Sequence, residues 1–226
     1  MVESPTRTVE RALSLLAVIV DGDGLTLSAS SRAVDLAPST ALRLLRTLET
    51  SGFVRKDEDG SYRPGSRLIQ LGAQSLSNES LAPLCRPVMD ELVAATGESA
   101  YLSVEGHAGT ALYLAIVEGT HSVRHASWVG RTFPLEHSAS GHVLQGRTPA
   151  TGYVVAERGV ETDVTAIAAP IRSAGRIVAA LSLVIPSYRV TTDDVRRYGP
   201  LLVAAADRVS AGLGTEPRSH QGDTDV

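Results

Sequence analysis

The chain has 226 residues, a formal net charge of −4 at pH 7, and 43% apolar and 20% charged residues. This length fits one or two globular domains. No apolar run approaches the ~18 residues that a transmembrane helix needs. The N-terminus has no apolar core of the signal-peptide type, and the single cysteine, Cys85, excludes an internal disulfide. We therefore expect a cytoplasmic protein that does not associate with membranes, and we expect Cys85 to be packed in the interior rather than to act as a reactive thiol.

The N-terminal third predicts three helices followed by a hairpin. Apolar residues at helical spacing indicate a first helix that ends at the Asp21–Gly24 turn; they are Val9, Ala12, Leu13, Leu16 and Val20. A second helix is predicted from about Ser28 to Val34 and a third from Pro38 to Ser51. The segment from Phe53 to Arg63 then reads as strand, turn and strand. This order is typical of a winged helix-turn-helix, which lays one helix against the major groove of DNA.

The helix from Pro38 has two distinct faces when its residues are placed roughly 100° apart. The apolar face carries Ala41, Leu44, Leu45 and Leu48, and the polar face carries Ser39, Thr40, Arg43, Arg46 and Thr47. Arginine can bind guanine or phosphate, and hydroxyl groups can reach either. We predict that the polar face contacts DNA, together with the basic hairpin residues Arg55, Lys56 and Arg63. An ordinary amphipathic surface helix would show the same two faces, but the basic hairpin beside it favours DNA.

Net charge limits how such a domain could bind DNA. Up to Gly65 the sequence has eight basic and nine acidic residues, so the domain is near neutral. Non-specific attraction to phosphate should therefore be weak. We expect affinity to depend on dimerisation and on contacts to bases.

The rest of the chain predicts a linker helix, a mixed domain and a tail. Helices are predicted at 66–77, 81–96 and 193–213, with Thr191 or Thr192 capping the last. Strands are predicted at Ser99–Glu105, Thr110–Val117, Ser122–Trp128, Val154–Ala156, Val164–Ile171 and Ile177–Ile185. The tail from residue 215 is composed of Gly, Pro, Ser and charged residues, and we expect it to be disordered. The predicted fold class is α+β with two domains.

Collinear motifs along the chain resemble those of IclR-type bacterial transcriptional regulators. They are VERALSLLAVI, LTLSASSRAVDLAPSTALRLLRTLETSGFVRKDEDGSYRPGSRLIQLG, LCRPVMDELVAATGESAYLSV, VGRTFPLEHSASGHVL and IAAPIRSAGRIVAALSLV, and they cover most of residues 8–213. The resemblance implies a winged helix-turn-helix (1–65), a linker helix (66–80), an effector-binding domain with a GAF-like antiparallel sheet flanked by helices (81–214), and the tail (215–226). It also implies a transcriptional regulator, with repression as the expected mode, that binds a palindromic operator as a homodimer or a dimer of dimers and responds to a small-molecule effector.

The resemblance also implies where the effector binds. The loop at His137–His142, the strand ending in IAAP and the strand ALSLV line the pocket in such regulators. Carried over, they nominate Ser138, Ala139, Ser140, Gly141, Ala166, Ile167 and Ser182, and Asp163 lies near a ligand-facing turn. Small residues at a helix start also leave backbone N–H groups free for an anion, although a tight loop–helix junction would look the same. Trp128 and Tyr113 are expected either as pocket walls or as core. Small organic acids and aromatic catabolites are the effectors that the family implies.

Three departures from the family pattern carry structural expectations. Ser30 stands where a core leucine is usual, and Asp35 stands where a glycine usually makes the turn. Between Gly141 and Ile167 the chain is shorter than is usual in the family, in a region that helps to form the pocket. We expect looser packing around Ser30 and a trimmed effector pocket.

Two other classes of function are an enzyme or metalloprotein and a protein-interaction module. Several histidines lie close in sequence, namely His107, His121, His125, His137 and His142, but the chain has no HExxH, paired CxxC or GxSxG motif. We therefore predict no catalytic residue, metal or cofactor. The remaining alternative is a winged-helix ligand-binding or protein-interaction module that has lost specific DNA binding.

Overall fold

A computed structural model of the protein describes residues 6–22, 24–78, 81–124 and 128–213. The chain forms two compact units, Met1–Glu79 and Ser80–Val226. No helix in the described parts is both long enough and apolar enough to cross a membrane. The predicted tail lies outside the described residues.

The N-terminal unit contains the predicted helices and hairpin. Its elements are α1 (Arg7–Asp21), α2 (Leu27–Ala33), α3 (Pro38–Thr50), β1 (Val54–Lys56), β2 (Tyr62–Pro64) and α4 (Ser66–Asn78). β1 and β2 pair antiparallel and form the wing. Pro38 occupies the first turn of α3, where a missing N–H removes no helical hydrogen bond. The two-domain α+β prediction is confirmed.

The core of this unit shows which face of α1 is buried. Its buried members are Leu15, Ile19, Ala41, Leu44, Leu45, Val54 and Tyr62. Of the apolar residues that indicated the helix, Ala12 and Leu16 pack against this core, whereas Val9, Leu13 and Val20 are exposed at 55%, 59% and 46%. Because α1 carries apolar residues around most of its circumference, periodicity alone does not decide which face packs inward. The apolar face predicted for α3 does form part of this core.

The two unusual residues before α3 are accommodated by local hydrogen bonding and backbone conformation. Ser30 is fully buried, and its hydroxyl donates to the carbonyl of Thr26 at 2.7 Å. The polar side chain therefore has a partner in the place where a leucine is usual. Asp35 adopts a φ of 49°, the left-handed conformation that a glycine would adopt at lower cost.

The C-terminal unit is a six-stranded antiparallel sheet with helices on both faces. Its elements are α5 (Leu81–Thr96), β3 (Ser99–Glu105), β4 (Thr110–Val117), β5 (Thr132–Pro134), α6 (Ala139–Leu144), β6 (Val154–Glu157), β7 (Val164–Ser173), β8 (Arg176–Pro186) and α7 (Thr192–Leu213). The strand order is β5-β4-β3-β8-β7-β6. The strand predicted at Ser122–Trp128 is wrong: residues 122–124 are irregular, residues 125–127 lie outside the described residues, and the edge strand is β5 instead.

The two faces of the sheet have different tasks. One face packs against α5 and α7 and forms the large core, in which Cys85 is fully buried. Burial raises the pKa of the Cys85 thiol to about 12, so the thiol is not activated. The other face carries Tyr101 opposite Ser182 in the β3–β8 register, and Ser182 opposite Ala168 in the β7–β8 register. Because α6 covers only part of this face, a cavity remains beside the helix.

Candidate DNA interface and effector cavity

The polar face of α3 is available for contact with DNA. Ser39, Arg43, Arg46 and Thr47 are exposed, and Thr40 is half-buried. Neither guanidinium forms a hydrogen bond or ion pair within the described residues. The Thr47 hydroxyl donates to the carbonyl of Arg43 at 3.2 Å, which leaves its oxygen free to accept. Two unpaired arginines, one helical turn apart, are what a recognition helix offers to bases or phosphates.

The wing is less basic in effect than its sequence indicates. Arg55 and Arg63 lie opposite each other in the β1–β2 register. Asp57 binds both: one carboxylate oxygen accepts from Arg55, and the other accepts from the Arg63 Nε at 2.8 Å. Lys56 is exposed, with its ammonium 5.8 Å from the centre of the Tyr62 ring. Two of the three wing residues predicted to contact DNA therefore share one carboxylate, which cancels one of their two positive charges. Lys56 is the basic residue of the wing without a carboxylate partner among the described residues.

The cavity beside α6 has aromatic and apolar walls. Its lining consists of Tyr113, Trp128, Phe133, Ser138, Ala139, Ser140, Ala156, Gly159, Val160, Glu161, Val164, Ala166, Ser182 and Val184. The void is about 420 Å³ in all, part of it open to solvent, and the centre of a water molecule can occupy about 30 Å³ of it. A single water needs about 10–15 Å³ by that measure. The cavity therefore fits a small molecule with a few heavy atoms.

Three serine hydroxyls in the lining differ in their hydrogen bonding. Ser138 caps α6: its oxygen accepts from the amide of Gly141 at 3.0 Å, and its hydroxyl donates to the carbonyl of Pro134 at 3.1 Å. Ser140 and Ser182 are 5% and 1% exposed, and neither hydroxyl has a hydrogen-bond partner within the described residues. Both residues line the cavity, so their hydroxyls can hydrogen-bond to water or to a ligand there. These two hydroxyls are the ones available to a ligand.

Five of the eight effector residues named from the sequence line the cavity: Ser138, Ala139, Ser140, Ala166 and Ser182. The structure corrects the other three. Ile167 is fully buried on the opposite face of the sheet, in the core with α5 and α7, because successive strand residues alternate between faces. Gly141 packs against backbone: a Cβ there would lie 2.0 Å from the carbonyl oxygen of Leu135. Asp163 is exposed and lines a separate, open groove.

Sequence reasoning missed Glu161, Phe133 and Val184 in the lining. Glu161 is the acidic residue of the described cavity lining, and it lies in the loop between β6 and β7. Burial is the main cause of a raised pKa at Tyr113, and the negative charge of Glu161 adds to the rise. The pKa of Tyr101 is also raised, chiefly because the side chain is buried. Glu161 therefore acts electrostatically on the aromatic side of the cavity. The alternation of β4 and β8 could have indicated Val184, but no sequence signal pointed to Glu161.

Models of known protein families match both units. The IclR helix-turn-helix domain matches residues 8–58, and the bacterial transcriptional regulator IclR C-terminal domain matches residues 73–150 and 145–211. The chain belongs to the IclR family. It is thus an HTH-type transcriptional regulator with an effector-binding domain, and not a member of a family of enzymes.

Characterised relatives agree with the family. The chain is 26% identical to the HTH-type transcriptional regulator BhcR of Paracoccus denitrificans, over 96% of this chain and 90% of BhcR. It is 31% identical to the glycerol operon regulatory protein of Streptomyces coelicolor, over 70% of this chain and 64% of that protein. It is 25% identical to the transcriptional repressor AllR of Salmonella typhimurium, over 93% of this chain and 91% of AllR.

Solved structures share the fold. An IclR regulator from Alicyclobacillus acidocaldarius superposes with a TM-score of 0.77 at 23% identity, covering 93% of this chain and 100% of that one. An IclR homologue from Microbacterium hydrocarbonoxydans, complexed with 4-hydroxybenzoate, gives 0.73 at 24% identity, covering 91% of this chain and 98% of that one. At these identities the likeness concerns the fold alone.

Alignment with a relative opens gaps in this chain. The alignment with BhcR has 254 positions, more than the 226 residues of the whole chain, so gaps open in this chain. The two matched segments of the C-terminal family model meet at residues 145–150, immediately after α6. Even so, the described part of the domain has its full six-stranded sheet and the helices on both faces.

The histidines do not form a metal centre in the part of the chain that the structure describes, where no group of three or more His, Cys, Asp or Glu side chains converges. His121 lies 3.5 Å from Glu98, a buried carboxylate that Arg189 binds at 2.6 Å. Among the histidines named from the sequence, His125 lies outside the described residues. The observed role of His121 is thus to flank an ion pair that ties the end of α5 to the loop after β8.

Proposed function

We propose that the protein binds a palindromic operator as a homodimer and places one α3 in each of two successive major grooves. The observation that carries this proposal is the polar face of α3, where Arg43 and Arg46 are exposed and unpaired within the described residues. Ser39, Thr40 and Thr47 flank them and can accept or donate at base edges or phosphates. As a bacterial transcriptional regulator, the protein would act in the cytoplasm.

Charge supports dimeric binding. The N-terminal unit has no excess of basic residues, and Asp57 engages two of the wing cations. One subunit would neutralise few phosphates, so its own affinity would be low. Two subunits joined on a two-fold symmetric site add their binding free energies. On α4, Ile69 and Leu71 are exposed at 67% and 37%, and a partner subunit could cover them. We propose a dimer as the DNA-binding unit, and two such dimers can associate as a dimer of dimers.

We further propose that a small molecule in the cavity beside α6 modulates operator binding, with repression as the mode. The unpaired hydroxyls of Ser140 and Ser182 and the aromatic walls support a ligand site. The complex of a structural neighbour with 4-hydroxybenzoate and the naming of AllR as a repressor are in line with this proposal. A ligand changes DNA binding to the extent that it prefers one of two conformational populations of the protein.

Fluorescence anisotropy tests the DNA proposal. The purified chain is titrated onto DNA from its own upstream intergenic region and onto unrelated DNA, at two salt concentrations. We expect tighter binding to the upstream DNA and a steep loss of affinity with salt. Binding that does not respond to salt would instead support the protein-interaction module considered from the sequence.

A further inference from the structure

One leucine of α3 lies on the face of the helix that is proposed to contact DNA. Leu42 is half-buried and lines a shallow groove on this face together with Ser39, Arg43, Arg46, Thr47, Thr50 and Ser51. The alanine and the other leucines of the helix serve the core of the N-terminal unit: Ala41, Leu44 and Leu45 are buried in it, and Leu48 packs against it. Leu42 is not part of that core within the described residues. Its side chain is therefore available to a molecule that binds in the groove.

The charge of this groove favours DNA as the occupant. The described lining contains two arginines and no carboxylate, and its other polar side chains carry hydroxyls. Arg43 and Arg46 form no ion pair within the described residues. An apolar protein surface placed on the groove would leave both guanidiniums without an acceptor, whereas double-stranded DNA supplies phosphate oxygens and guanine acceptors for them. A duplex bound in this way also lies against Leu42.

The major groove offers one apolar group to such a side chain, the C5 methyl of thymine. Contact between this methyl and a leucine removes apolar surface of both from water, which is favourable. Against any other base edge, the leucine would leave a hydrogen-bond donor or acceptor without a partner, which costs free energy. Leu42 can thus distinguish thymine from the other three bases.

We propose that Leu42 is a specificity-determining residue that contacts the methyl group of a thymine in each operator half-site. The inference rests on the proposed operator binding through α3 and names a base that this helix selects. Side chains four residues apart on a helix have Cβ atoms about 5–6 Å apart. Because base pairs follow one another about every 3.4 Å along the duplex, the thymine lies within about two base pairs of the one nearest to Arg46.

Deoxyuridine tests the contact, because it lacks only the methyl group of thymidine and pairs with adenine in the same way. The full-length protein first selects its sites from a pool of duplexes with a random central region. The selected pool is amplified with dTTP or with dUTP, and the affinity for each product is measured by fluorescence anisotropy. Leu42→Ala is titrated onto the same two DNAs. Leu201→Ala is the matched control, because Leu201 is an exposed leucine on α7, in the other unit.

We expect the enriched half-sites to share a thymine and the wild type to bind thymine DNA about tenfold more tightly than uracil DNA. Burial of one methyl group corresponds to about fourfold in affinity, and a dimer contacts two half-sites. In Leu42→Ala the preference for thymine DNA should largely disappear, and on uracil DNA this variant should bind as the wild type does. Leu201→Ala should keep the wild-type preference.

Equal affinity of the wild type for thymine and uracil DNA would overturn the inference. So would a preference for thymine DNA that Leu42→Ala retains in full, because another group would then contact the methyl. In both cases the enriched sequences would still support sequence-specific binding, and the proposed function would stand. If the random pool yields no enriched sequence, the proposed operator binding fails and the inference fails with it.

Discussion

Arg55 and Arg63 face each other across the wing hairpin, and the carboxylate of Asp57 binds both guanidiniums. Like charges opposite each other on paired strands destabilise a hairpin. Asp57 offsets that repulsion and fixes both side chains. The wing is thereby held in shape, but Asp57 cancels one of its three positive charges, so its non-specific attraction for DNA is weaker than the basic residues alone would give.

Replacing Asp57 with Asn should therefore increase affinity for any DNA. The change removes one negative charge and releases Arg55 from its ion pair, so the slope of log affinity against log salt should steepen by about one unit. The free energy of unfolding should fall by less than about 1 kcal/mol, because these ion pairs are partly exposed. Anisotropy over a salt series measures the slope.

Glu58→Gln is the control for that variant, because Glu58 is exposed in the same turn and has no ion pair within the described residues. It changes the net charge equally without releasing an arginine. Equal slopes for the two variants would mean that the pairing of Asp57 with the arginines does not matter to DNA binding.

Replacing Arg43 with Ala should weaken operator binding by about 1–3 kcal/mol if the side chain contacts a base. Because the side chain is exposed and has no protein partner within the described residues, stability should be unchanged, which urea unfolding checks. Arg176→Ala, on the hairpin between β7 and β8, is the control for loss of one exposed arginine. An equal loss of affinity on operator and random DNA would show that Arg43 contacts phosphate only.

Replacing Ser140 with Phe should abolish the response to effector and spare DNA binding. Ser140 is buried at the cavity wall, and a phenyl ring there would fill the small free volume. The measurement compares operator anisotropy with and without a panel of small organic acids and single-ring aromatic compounds for both proteins, and circular dichroism checks the fold. An unchanged dose response would remove α6 from the ligand site.

The cap of α7 should make stability depend on pH. The amide of Asp194 donates to the Thr191 hydroxyl oxygen at 3.2 Å, and the Thr191 hydroxyl donates to the Asp194 carboxylate at 2.7 Å. These hydrogen bonds lower the pKa of Asp194 below its ordinary 3.8. Because the folded-state pKa is depressed, the ionised carboxylate stabilises the fold above the unfolded-state pKa, and that stability is lost as the pH falls through the folded-state pKa.

Asp194→Asn should thus cost about 0.5–1 kcal/mol at pH 7 and much less near pH 2.5. Urea unfolding at the two pH values measures the difference. Asp193→Asn is the control, because its side chain lies in the same helical turn, is 89% exposed and forms no cap. A cost for Asp194→Asn that is the same at both pH values would show that the charge of the carboxylate is irrelevant.

Local spacing predicted most of the helices and strands and the division of α3 into an apolar and a polar face. On α3 the apolar and polar residues separate cleanly, so the pattern has one solution. On α1 it has several, and the buried face in the structure is the one with Leu15 and Ile19. Tertiary contacts with α3 and the wing decide between faces that are equally apolar.

The sequence does not show which side chains bind each other in turns and loops. Whether Asp57 turns back to Arg55 and Arg63 depends on the geometry of the wing, and the position of Glu161 depends on the path of the β6–β7 loop. Ile167 was assigned to the cavity from the resemblance to the family. The sequence of β7 could not correct that assignment, because a strand that is buried on both faces has no polar alternation to show which residues face the ligand.

Selection of genomic fragments is the direct test of sequence-specific DNA binding through α3. Sheared DNA from the source genome is incubated with the wild-type protein and with the Arg43→Ala/Arg46→Ala variant at moderate salt, and the retained fragments are sequenced. The account predicts that the wild type enriches a few sites with an inverted repeat, whose half-sites lie about one helical turn or a multiple of it apart, and that the variant enriches none. Retention of the same fragments by both proteins, or no enrichment by the wild type, would contradict sequence-specific DNA binding through α3.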